Sequence, residues 1–134
     1  MKILTRNETA QYLLQHDNFC ILSHRRPDGD TLGSTAALCL GLRQMGKTAH
    51  VIANREVSPR YRWLHQGLTK EEARESDTVI TVDVAAPQML PEFFQNRIRL
   101  SPAEIRFRNI SKKSIKPERL SAIFWWEELR KCRE

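Results

Sequence analysis

Four consecutive apolar residues, Phe19-Cys20-Ile21-Leu22, are followed within two positions by a turn-rich heptad, His24-Arg25-Arg26-Pro27-Asp28-Gly29-Asp30, and helical periodicity begins directly behind it. An apolar run of four is too short for a buried helix. Bounded by turn residues, it reads as a strand covered on both faces, the kind found in parallel sheets. The helix that follows spans about residues 31–45, with Leu32, Ala36, Leu40 and Arg43 marking its faces and Gly46 as its stop. Residues 48–53 and the β-branched stretch 77–84 supply two more strands. Upstream, Thr5-x-x-Glu8 is a capping box that opens a short helix ending near Asp17. Strand, helix and strand in alternation predict an α/β fold, a doubly wound parallel sheet of three or four strands with helices on both faces.

With 134 residues the chain has the length of one domain. Its charge is unevenly spread. Residues 96–134 hold 11 basic and 5 acidic residues, which accounts for the whole net charge of +6. Every glycine lies at or before Gly67, every histidine at or before His65 and every aspartate at or before Asp83. The sequence therefore divides into an enzyme-like part, 1–95, and a basic, divergent and irregular tail, 96–134. In the tail, residues 95–100 offer a fourth strand, and 121–132 carry the spacing of an amphipathic helix through Ile123, Trp126 and Leu129. Lys112, Lys113 and Lys116 have no aromatic residue beside them and read as a solvated segment.

Some classes are excluded early. No apolar stretch approaches the roughly 20 residues of a membrane-spanning helix, and the N-terminus meets charge too soon for a secretory leader. Cys20, Cys39 and Cys132 are odd in number and form no Cys-x-x-Cys pair. A reducing, cytoplasmic setting is expected, with no membrane partner.

The heptad concentrates the chemistry. His24, Asp28 and Asp30 bring one imidazole and two carboxylates to the carboxyl end of a strand, where open α/β sheets bind ligands. Neighbouring carboxylates repel unless a cation lies between them, and a mixed histidine and carboxylate set suits Mn²⁺, Fe²⁺ or Zn²⁺ better than Ca²⁺. Pro-Asp-Gly also makes a turn whose aspartate caps the next helix, so both readings stand for Asp28. Thr31-Leu32-Gly33-Ser34 sets small residues at a helix N-terminus, a place that favours phosphate. Arg25 and Arg26 flank the turn as candidates for a substrate phosphate, or as solvated arginines. Asp83 closes the third strand on the same sheet edge. His50 and His65 have no carboxylate at ligand spacing and read as structural, while Cys20 and Cys39 read as inert core thiols.

The segment Ser23-His24-Arg25-Arg26-Pro27-Asp28-Gly29-Asp30-Thr31-Leu32-Gly33-Ser34 closely resembles the first signature of the DHH (DDH-domain) phosphoesterase superfamily, nearest to its bacterial oligoribonuclease (nanoRNase) and 3′-phosphoadenosine-5′-phosphate (pAp) phosphatase branch. Val79-Ile80-Thr81-Val82-Asp83 is similar to the second signature, and Ser58-Pro59-Arg60-Tyr61-Arg62-Trp63-Leu64 to the segment linking the two. The resemblance implies a manganese-dependent hydrolase of short RNA or phosphorylated nucleotides, in which two Mn²⁺ ions activate a water against a phosphate ester. It assigns His24 and Asp28 to one ion, Asp30 to the other and Asp83 to a bridge, making Asp28, Asp30 and Asp83 catalytic, with Arg25, Arg26 and Ser34 as phosphate contacts.

The third signature, Asp-His-His, does not follow. Its place holds Asn96-Arg97-Ile98-Arg99-Leu100-Ser101-Pro102. This departure, with the compositional break, leads us to expect an amino-terminal fragment whose tail comes from a shifted reading frame, without the family's second lobe, binding one Mn²⁺ and hydrolysing little. Sequencing the locus across Phe93 to Leu100 tests the frame. The alternative class is a small basic nucleic-acid-binding or interaction protein that uses the tail with Trp125 and Trp126.

Overall fold

The computed structural model describes residues 4–74, 78–84, 87–92 and 105–106. Helix α1, Arg6–Gln15, starts on the capping box: Thr5 Oγ1 accepts from the Glu8 N–H at 3.3 Å, and the Glu8 carboxylate accepts from the Thr5 N–H at 2.7 Å. Strand β1, Phe19–Leu22, is buried at all four positions. Helix α2, Gly29–Gln44, leads to β2, Ala49–Ile52. The remaining strands are β3, Thr69–Lys70, β4, Thr78–Thr81, and β5, Ile105–Arg106.

All pairings are parallel, in the order β3-β2-β1-β4-β5. The chain winds outward from β1 to β2 and β3, then crosses back to β4 and β5. That is the doubly wound α/β sheet read from the pattern, with five strands among the described residues instead of three or four. The two extra strands have two residues each, and runs that short leave no periodic signal. One of them, β5, lies in the part of the sequence assigned to the basic tail. The strand expected at 95–100 and the helix expected at 121–132 fall outside the described residues.

Side chains alternate across each strand. Phe19 and Ile21 of β1 pack with Val51, Ile80, Ala10 and Leu13 of α1, and Ala36, Cys39 and Leu42 of α2. Cys20 and Leu22 point to the other face, with Ile52, Val84 and Leu90. Both described α-helices thus cover one face, while residues around Val84 and Leu90 cover the other. Each large aliphatic side chain buried this way stabilises the fold by about 1.5–3 kcal/mol.

Helix α2 ends as predicted at Gly46, whose φ of 77° few other residues tolerate. The Gly46 N–H donates to Arg43 O, and the Lys47 N–H to Leu42 O, the paired bonds of a Schellman motif. Arg43 then ties this end to the sheet edge, donating to Ala49 O at 2.7 Å and Gly67 O at 3.1 Å. No helix among the described residues is long and apolar enough to cross a membrane.

Candidate metal centre

The β1–β4 register builds the site. Leu22 pairs with Thr81, and the Val82 N–H donates to Leu22 O at 2.9 Å, so the two chains stay aligned beyond the strands. Two residues further on, His24 and Asp83 face one another, with Nε2 and Oδ2 3.9 Å apart. This is the point where the sheet's winding reverses, and open α/β sheets bind ligands in the crevice found there. Asp83 has φ 58°, in the left-handed region that aspartate tolerates better than most residues, and such conformations concentrate at functional sites.

Asp28 approaches from the start of α2. It is the N-cap, its Oδ1 accepting from the Thr31 N–H at 2.9 Å. The capping reading is therefore correct, and it does not compete with ligation, because a carboxylate has about four acceptor sites. His24, Asp28 and Asp83 each present one ligand atom, all within 4.8 Å of one another. One nitrogen and two carboxylate oxygens fit a borderline divalent cation completed by water.

Thr31 holds this group together, a role that sequence reading missed. Its side chain is buried, and its hydroxyl donates to Asp83 Oδ2 at 2.9 Å. That uses its single proton, so in the 3.0 Å contact to His24 Nε2 the imidazole N–H is the donor, and ligation through Nε2 would require that proton to leave and this bond to break. Thr31 thus spans the two strand-end ligands from a helix that is itself capped by the third. The available signal was Thr31's place three residues after Asp28, where a backbone N–H meets the cap.

A second missed residue is Asn54, just after β2. Its side-chain amide donates to His24 O at 3.0 Å, with longer contacts to Ser23 Oγ and Arg25 O. From the other side, the Arg25 N–H donates to Met89 O at 2.7 Å. The His24 loop is clamped between two neighbouring connections.

The other candidates lie elsewhere. Asp30 is exposed in the first turn of α2, outside the three-ligand group, and Ser34 is exposed on the same helix. Arg25 forms loose ion pairs with Glu56 at 3.8 Å and Glu92 at 3.6 Å, and Arg26 with Glu56 at 3.6 Å. Exposed pairs this long contribute about 0–1 kcal/mol, so an arriving phosphate can displace them. Beside them opens a cleft of about 380 Å³ lined by Arg25, Asn54, Arg55, Glu56, Pro91 and Glu92.

His65 is structural, as expected. It is buried, and its Nε2 lies 2.8 Å from Thr35 Oγ1 and 3.1 Å from Leu32 O, which fixes the 3₁₀ segment Pro59–His65 against α2. Burial holds its pKa below the usual value. His50 is buried in β2, and burial raises the Cys39 thiol pKa, in keeping with an inert core group.

Fold and site together define an α/β protein with three potential metal ligands at a sheet switch point. A sequence model of the DHH family, N-terminal domain, matches residues 18–106, about two thirds of the chain and all of the elements that build the site. The chain belongs to that family, which is one of phosphoesterases. No curated protein matches it.

Proposed function

We propose that the chain is an impaired manganese-dependent phosphoesterase of the nanoRNase/pAp phosphatase branch, acting slowly on short oligoribonucleotides or 3′-phosphoadenosine-5′-phosphate. The observation that carries this reading is the convergence of His24, Asp28 and Asp83 at the switch point. These three residues would hold the ion. Bound there, a divalent cation supplies Lewis acidity for the phosphoryl oxygens and lowers the pKa of water. The chain orients this set through Thr31, and the first-turn N–H groups of α2 complement a substrate phosphate alongside Arg25, Arg26 and Ser34. Asp30 and a shared Asp83 are the donors left for a second ion.

The basic excess of residues 96–134 favours a second reading, a nucleic-acid-binding protein without catalysis. The test is Mn²⁺-dependent release of phosphate from 3′-phosphoadenosine-5′-phosphate, and of mononucleotide from a ribodinucleotide. Release abolished by Asp83→Asn supports the phosphoesterase. RNA binding that falls steeply with salt, with no release in Mn²⁺ and no change in Asp83→Asn, supports the second reading.

A further inference from the structure

The segment Pro59–His65 carries a feature that the metal group does not use. Trp63 is 68% exposed, more than Leu40 at 48% or Met89 at 37%, the other large apolar side chains that face water among the described residues. An indole left in solvent forgoes one of the largest burial gains any side chain offers. The segment is a 3₁₀ helix, in which residues three apart eclipse, so Arg60 and Trp63 lie on one side. The Arg60 guanidinium stacks over the Tyr61 ring, 4.6 Å from its centroid. The Tyr61 ring in turn lies against Gly29, where an added Cβ would approach it to 3.2 Å. Gly29 directly follows the ligand Asp28. Phenol and guanidinium therefore stack outward from the residue beside Asp28, and Trp63 lies on Arg60's side of the segment.

Charge favours the occupant. Arg60, Arg62 and Lys70 lie in a stretch, 57–70, without an acidic residue of its own, bounded by Glu56 and by Glu71-Glu72. Flat groups that accept any π-face, set among cations, are what single-stranded nucleic acid requires. A hydrophobic protein partner would be served by aliphatic neighbours, and here Trp63 stands between Arg62 and the half-buried Leu64.

We infer that Trp63, with Arg60 and Arg62, forms a base-stacking platform for a single-stranded oligoribonucleotide whose phosphate reaches the metal centre. This deepens the phosphoesterase reading and rests on it. The platform selects strands over free phosphate without reading base sequence.

The test measures binding of a fluorescein-labelled ribopentanucleotide to the full chain by anisotropy, in EDTA so that no hydrolysis intervenes, beside an abasic phosphodiester strand of equal length. Trp63→Ala is expected to weaken the ribopentanucleotide about tenfold or more and to leave the abasic strand unchanged, with Trp63→Phe retaining most of the affinity. Arg60→Ala/Arg62→Ala is expected to weaken both strands and flatten the salt dependence. Equal losses on both strands in Trp63→Ala, affinity within twofold of the parent chain, or no binding by the parent overturns the platform. So does unchanged RNA affinity with a shift in sedimentation, which assigns the face to self-association. Failure of the phosphoesterase reading appears separately, as Mn²⁺-dependent release that stays undetectable at stoichiometric enzyme and long incubation, or that Asp83→Asn leaves unchanged, while this binding pattern persists.

Discussion

Asp28 carries two loads, and substitution separates them. As N-cap of α2 it accepts the Thr31 N–H, and as part of the His24–Asp28–Asp83 group it offers charge to a cation. Asparagine caps a helix about as well as aspartate but carries no charge, whereas alanine does neither. Asp28→Asn is therefore expected to keep thermal stability within about 0.5 kcal/mol of the parent while its Mn²⁺ affinity falls at least tenfold by calorimetric titration. Asp28→Ala is expected to lose about 1 kcal/mol of stability as well. Equal Mn²⁺ affinity in Asp28→Asn and the parent would remove Asp28 from the ligand set. Of the heptad, His24 and Asp28 were legible because their types are rare together and their spacing is local, whereas Asp30, equally prominent in sequence, is exposed outside the group. Thr31 and Asn54 were not, because a threonine or asparagine near a turn has many bland uses. Only the fold shows that these two touch His24.

The 3₁₀ segment Pro59–His65 is tied to α2 by the contacts of His65 with Thr35 and Leu32, besides the Tyr61 ring against Gly29. Burial lowers the His65 pKa in the folded chain below its ordinary 6.5. In the window between the lowered value and about 6.5, the unfolded chain binds more protons than the folded one, so stability rises with pH there. The contribution is fully present above that window and is lost as pH falls through it. Thermal melts from pH 7.5 downward are expected to show Tm declining once pH passes below about 6.5. His65→Gln, which keeps an N–H donor and does not titrate, is expected to flatten that decline. A decline of the same slope in the variant would assign it to other groups. At the other end of α2, Gly46→Ala forces a Cβ into φ 77° with open space around it, so its cost is backbone strain alone. Chemical denaturation is expected to show a loss of about 1 kcal/mol. An unchanged midpoint would mean that the Schellman turn relaxes at no cost.

The sheet was readable from sequence because β1 is an apolar run and β2 and β4 are short stretches with β-branched centres between turns, whereas β3 and β5 are too short to leave a pattern. That Asp83 meets His24 follows from the β1–β4 register, which no local window contains. Turnover depends on more than this one meeting point. Phosphoester hydrolysis by two metals needs donors for both ions, held roughly 4 Å apart so that attacking and leaving oxygens are stabilised together. The folded chain gathers three donors into one group and leaves Asp30 exposed outside it, and no aspartate or histidine follows Asp83 in the sequence. Titration of the purified chain is therefore expected to show one measurable Mn²⁺ site, and two tight sites would refute that. The charge on the leaving oxygen then lacks its second stabiliser. By analogy with the loss of one electrostatic donor, worth about 2.7–4 kcal/mol, the chemical step should slow at least 10²–10³-fold. The check compares Mn²⁺-dependent hydrolysis of 3′-phosphoadenosine-5′-phosphate and of a ribodinucleotide with that of a DHH-family enzyme carrying the Asp-His-His signature. Rates within tenfold of that enzyme, abolished by Asp28→Asn, would show that His24, Asp28 and Asp83 suffice and that the absent signature is dispensable.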